Sequence, residues 1–129
     1  MSMLETYPHS VAVDRRQLAA TIDTLLECSQ VCTACADACL DDMTADVITS
    51  VRTNQDCSDI CDLTAHMLSR VSGADAVLSR GMLELAIAAC DLCAAECSKH
   101  ADMHAHCRIC AEVCARSARI CRDLLAMAH

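Results

Sequence analysis

The sequence is nearly devoid of aromatic side chains: Tyr7 stands alone, with no Trp and no Phe. Large rings therefore cannot fill the interior, and Ala, Leu, Val, Ile, Met and Cys must pack it. Turn formers are scarce too, with two glycines and one proline, too few for the many turns of an all-β domain. Positive charge is short: 10 basic residues face 18 acidic ones, for a formal charge of −8. Without a basic patch or stacking rings, the expectation is no nucleic-acid partner and no anionic membrane partner. Nor does any apolar run approach the roughly 18 residues of a membrane span. The opening MSMLETYPHSV has neither the basic nor the apolar region of an export signal. That predicts a cytoplasmic chain, where thiols stay reduced.

What the sequence does have is sulfur. Thirteen of its 129 residues are Cys. A disulfide framework suits small secreted chains, and an odd count leaves at least one thiol unpaired. The stretch CSQVCTACADAC places Cys28, Cys32, Cys35 and Cys39 at steps of four, three and four, the spacing of one helix face.

The remaining pattern is all-α. Residues 1–13, with Pro8, read as an irregular lead-in, and residues 14–129 as one domain. Helices are predicted near 14–41, 45–71, 75–102 and 105–127, separated at Asp41-Asp42-Met43-Thr44, at Ser72-Gly73 and near SKHADMHAHC. Thr44 is placed as an N-cap. The third break rests on rhythm, since His104, Cys107 and Cys110 follow one another at two consecutive steps of three. Short connections make neighbouring helices antiparallel, giving an up-down-up-down four-helix bundle.

Each helix then carries a seam. The first reads Leu18, Ile22, Leu25, Cys28, Cys32, Cys35, Cys39, and the second Ser50, Asn54, Cys57, Cys61, Thr64, Leu68, Val71. The third reads Leu83, Ala86, Cys90, Cys93, Cys97, His100, His104, and the fourth Cys107, Cys110, Cys114, Ser117, Cys121, Leu124. No Cys occurs in 1–27 or 62–89. In this topology one half of the axis is lined by thiols, while Leu18, Ile22, Leu68, Val71, Leu83 and Leu124 pack the other.

Soft thiolates select Cu(I), Zn(II) or iron–sulfur clusters. Zinc knuckles and cluster motifs put their cysteines on loops around one centre, and neither explains a long helical column. Cu(I) accepts two or three thiolates, which can bridge ions. One ion per thiolate is neutral, so a filled column buries little net charge. Because protonated thiols are neutral as well, the bundle is expected to fold empty, unlike a zinc finger.

CSQVCTACADAC, CSDIC, CDLCAAEC and CRICAEVC, on four glycine-poor helices, resemble the cytosolic copper storage proteins over about residues 14–127. The resemblance implies a cytoplasmic homotetramer whose bundles each hold many Cu(I) ions. It implies thiolate ligation by Cys28, Cys32, Cys35, Cys39, Cys57, Cys61, Cys90, Cys93, Cys97, Cys107, Cys110, Cys114 and Cys121. It further implies a copper entrance lined by Asn54, His100 and His104, the last seam residues before the open pole. Met43 and Met103 flank that pole as candidate thioether ligands. His106 falls off the seam and reads as surface, His9, His66 and His129 are given no role, and Asp41 and Asp42 read as a solvated face.

The function expected is therefore non-enzymatic Cu(I) storage, with capacity on the order of ten ions at about 1–1.5 thiolates per ion. A copper chaperone, small thiol or chelator is the expected exchange partner. Two other readings stand beside it: a zinc or general soft-metal buffer, and a thiol redox protein. The second needs a positive neighbour for its cysteine, and Arg108 beside Cys107 is the one modest candidate.

Overall fold

The computed structural model describes residues 3–6, 14–42, 47–70 and 75–127. Within them the chain forms a short 3-10 turn at Met3–Thr6 and four helices: α1 (Arg15–Asp42), α2 (Val47–Ser69), α3 (Ala76–Ser98) and α4 (Ala105–Met127). Met43, Thr44, Val71 and the Ser72-Gly73 stop lie outside the described residues, as do Tyr7, Pro8, His9 and His129.

Side-chain carboxylates start two of the helices. Asp14 Oδ1 accepts from Arg16 N and Gln17 N at 2.8 and 3.1 Å, and Asp75 Oδ1 accepts from Val77 N and Leu78 N at 2.9 and 3.1 Å. Each satisfies donors that the first helical turn leaves open, and the negative charge suits the helix N-terminus. Asp75→Ala is expected to cost about 1 kcal/mol, a fall of about 4 °C in a thermal denaturation followed by circular dichroism.

The third helix ends earlier than its rhythm predicts. Lys99 N bonds back to Glu96 O at 3.2 Å and His100 N to Cys97 O at 3.1 Å, a tightening typical of a last turn. The chain reverses over residues 99–104, and the His104 carbonyl accepts from Cys107 N and Arg108 N to begin α4. His100 and His104 thus stand on the α3–α4 turn instead of extending α3.

Each helix packs chiefly against its two neighbours, α1 on α2 and α4, and α3 on α2 and α4, which is the square section of an antiparallel bundle. Hydroxyls tie α1 to α2: Ser58 Oγ donates to Ser29 O at 2.9 Å and meets Thr33 Oγ1 at 2.7 Å. Exposed ion pairs join Arg116 to Glu27 and Arg122 to Asp91, each worth little in water.

The core divides as expected. Leu18, Leu25, Ala65, Leu68, Leu83, Ala86 and Leu124 pack one half, and all thirteen cysteines are buried toward the other. One seam position differs: Thr21 is fully buried, while Ile22 packs on the core only partly. The threonine is tolerated there because its hydroxyl donates to Gln17 O at 2.8 Å, as Thr64 does to Ile60 O at 2.7 Å.

Candidate metal centre

The four seams bring their sulfurs into mutual reach along the axis. Cys32 Sγ lies 3.5 Å from Cys114, 3.8 Å from Cys110 and 3.9 Å from Cys28 and Cys93, so one α1 thiol touches both α3 and α4. Deeper, Cys28 meets Cys114 at 3.8 Å, and Cys57 and Cys61 meet Cys90 at 3.8 and 3.5 Å. All thirteen thiols are free.

These contacts resolve into overlapping donor sets whose ligand atoms lie within 4.8 Å of one another. From the open pole inward they include Cys35/Cys39/His106/Cys107, Cys35/Cys97/Cys110, Cys32/Cys93/Cys110/Cys114, Cys28/Cys32/Cys57/Cys114 and Cys28/Cys57/Cys61/Cys90. Every neighbouring pair of sets shares at least one cysteine. That is a ladder, and it permits transfer of a soft ion from rung to rung without leaving sulfur. Cys121 lies beyond the last rung, buried near Ser117.

Proton affinities follow from this packing. Burial pushes Cys121 up to about 12 and Cys107 to about 11. Cys35, Cys32, Cys93 and Cys97 are all raised, first by the hydrogen bond with Cys110 and further by burial. Cys110 moves the other way, lowered first by the hydrogen bond with Cys114. Cys28 and Cys57 are likewise lowered, each first by the hydrogen bond with Cys114, while the other ten thiols are held in the protonated, neutral form.

The mouth differs from the expectation in three respects and adds a fourth feature for which there was none. First, Asn54 is not at the rim: it is fully buried among the thiols, with Oδ1 accepting from Cys93 and Cys110 at 3.1 Å and from Cys97 at 3.7 Å. Its Nδ2 is buried without a partner, a cost of roughly 1–3 kcal/mol. The outward neighbour Ser50 is buried as well and donates to Glu96 Oε2 at 3.1 Å.

Second, His106 belongs to the site. Its Nδ1 faces Cys35 Sγ at 3.4 Å and Cys107 Sγ at 3.6 Å, while Nε2 donates to Asp42 Oδ2 at 2.8 Å. Seam counting missed it because a first-turn side chain beside the seam can still reach over the end of the column. Third, Asp42 is no mere solvated residue: the same oxygen takes His104 Nδ1 at 3.2 Å, and the two imidazoles stack with centroids 5.3 Å apart. The hydrogen bond from His106 holds the Asp42 carboxyl below its ordinary range. A carboxylate behind an imidazole whose other nitrogen faces ligands is a common way of orienting a metal-binding histidine.

Fourth, Glu96 is buried beside Cys97. Burial works to raise its carboxyl, yet hydrogen bonds from Lys99 (3.2 Å), His100 (3.3 Å) and Ser50 outweigh it and hold the group below the ordinary value. His100 and His104 are partly buried at the pole, as expected, whereas Met103 is exposed.

The profile of the family described as "copper storage protein" matches residues 14–126. The chain belongs to this copper storage protein family. Solved structures agree. A copper storage protein from Streptomyces lividans, loaded with 10 copper equivalents, is 47% identical over 96% of each chain, with a TM-score of 0.94. A cytosolic copper storage protein from the same organism, solved with five coppers, is 47% identical over 87% of this chain and 94% of its own, at a TM-score of 0.85. A more distant Cu(I)-bound copper storage protein is 26% identical over 84% of this chain and 98% of its own, at a TM-score of 0.75. No curated protein matches the chain.

Proposed function

We propose that this chain is a cytosolic, non-enzymatic store for Cu(I), and the observation that carries the reading is the unbroken ladder of shared-sulfur sets along the bundle axis. All thirteen cysteines are its ligands, with residues 14–129 as the storage domain and 1–13 as a lead-in. Copper enters past His100 and His104, is taken by Cys35, Cys39, Cys107 and His106, and moves inward toward Cys28, Cys61 and Cys121. Met103, exposed on the α3–α4 turn, is a transient thioether ligand on the way in. A copper chaperone, a small thiol or a chelator exchanges copper at this pole.

Charge separates copper from zinc. A closed Zn(II) site with four thiolates leaves two negative charges in a dry core, and the ladder's shared sulfurs could not close several such sites at once. One Cu(I) per thiolate leaves none. The expected result of an anaerobic Cu(I) titration against a strong chelator is saturation on the order of ten ions per chain, with Zn(II) unable to displace them. Saturation at one or two ions would reject storage.

The homotetramer implied by the family resemblance is in keeping with the exposed Leu78, Leu85 and Leu92, which recur every seven residues along one side of α3. Sedimentation of the metal-free protein checks it.

A further inference from the structure

The sulfur column of α4 has one gap. Cys107, Cys110 and Cys114 follow at steps of three and four, the next position on that face is Ser117, and the one after it is Cys121. Ser117 and Cys121 are both fully buried. Two sulfurs share the serine hydroxyl: Cys90 Sγ of α3 donates to it at 3.4 Å, and it hydrogen-bonds Cys121 one turn further in. No cysteine of α1, α2 or α3 lies inward of Cys28, Cys61 and Cys90. The first buried hydroxyls inward of them on α1 and α2, Thr21 and Thr64, are turned back on their own helices, to Gln17 O and Ile60 O. Cys121 therefore stands below the column with a hydroxyl, and not a thiol, between it and the rest.

Distance makes that gap matter. The seven-residue step from Cys114 to Cys121 is a rise of about 10.5 Å along the helix. Two thiolates on one ion, at about 2.3 Å for each metal–sulfur bond, stand at most about 4.6 Å apart. No ion spans Cys114 and Cys121, so a link along α4 has to pass through position 117. Serine offers oxygen there, a hard donor that a soft ion such as Cu(I) passes over for sulfur. The neighbour that remains is Cys90, whose sulfur already serves the set with Cys28, Cys57 and Cys61.

We propose that Ser117 sets the inner limit of the shared-sulfur ladder, so that the ion at Cys121 is bound last, more weakly than the others and apart from them. This rests on the Cu(I) storage reading and deepens it. Binding there breaks the Cys121 S–H bond and forms a Cu(I)–sulfur bond, the proton leaves to solvent, and no electron changes hands. Both properties of serine are used. An alanine at 117 would leave the buried Cys90 and Cys121 thiols without their hydroxyl partner. A cysteine would carry sulfur without a break from Cys114 to Cys121.

Two measurements test it. In anaerobic chelator competition, the wild-type chain is expected to give up one ion about tenfold more readily than the others, and Cys121→Ala to lack that step alone. Ser117→Cys is expected to gain about one ion and to lose the separate weak step, a gain that a merely structural serine would not produce. Anomalous diffraction at the copper edge then locates the ions in wild-type crystals. Cys121 is expected to be bare at half capacity and occupied at saturation. Copper on Cys121 at half capacity, or none there at saturation, overturns the proposal even if Ser117→Cys does not fold. So does a folded Ser117→Cys with wild-type capacity and an unchanged weak step. Each of these results leaves storage intact, while wild-type protein that takes up no copper would reject storage itself.

Discussion

Anaerobic loading with Cu(I) is expected to raise the thermal unfolding temperature by on the order of 30 °C or more, without increasing the helical circular dichroism. Ligands that bind only the folded chain stabilise it by mass action, about 2.7 kcal/mol for each site at a hundredfold excess over its dissociation constant. Several filled rungs therefore add well over 10 kcal/mol, against about 5–15 kcal/mol for an ordinary domain. Helicity is unchanged because the empty column is already folded. Most of its buried thiols are held protonated, they hydrogen-bond one another, and the Leu18, Leu25, Leu83 and Leu124 half is packed independently of sulfur. A strong Cu(I) chelator returns the protein to the lower temperature. A metal-free chain that lacks helical signal, or a loaded one that unfolds where the empty one does, would contradict this account.

Replacing Cys28 and Cys57 together by Ser is expected to lower Cu(I) capacity by about three to four ions. Replacing Cys39 and Cys107 is expected to cost about two, at 1–1.5 thiolates per ion. Both doubles remove two thiols. They differ because Cys28 and Cys57 each belong to two four-sulfur sets in the middle of the ladder, whereas Cys39 and Cys107 stand with His106 in the set at the mouth. The outer pair should instead slow uptake, since it stands first on the route inward. Chelator-competition titration reads the capacities and stopped-flow absorbance reads the rates. Equal losses from the two doubles would show that the thiols act as a simple pool and not as a ladder.

Most of the sulfur column was readable from spacing, for a physical reason. A helix fixes which residues share a face, so steps of three and four locate a seam with no knowledge of the partner helices. Cys57, Cys61, Thr64 and Leu68 of α2, and Cys107, Cys110, Cys114, Ser117, Cys121 and Leu124 of α4, are all buried as that rhythm predicts. Short connections then settle the pole at which the thiols gather. The rule weakens at a single residue: Thr21 takes the buried position in place of Ile22, because steps of three and four are both open and only the neighbouring helices choose between them.

The mouth was less legible. His106 adjoins Cys107 in sequence and lies off the seam, so periodicity assigned it outward, and Glu96, also off the seam, drew no expectation at all. The structure turns both to use through partners far along the chain, Asp42 and Cys35 for His106, Ser50 for Glu96. Asn54 shows the converse. Its seam position was right, but its depth is set by packing against the neighbouring helix, which buries Ser50 and Glu96 as well.

The sequence alone thus determined a thiol-lined helical bundle with its sulfur at one pole, because helical periodicity and chain connectivity are properties of the chain itself. The tertiary structure decided which sulfurs share a rung, which imidazole faces them and which amide lies among them. Those are distances between separate helices, set by packing, and no local pattern encodes them.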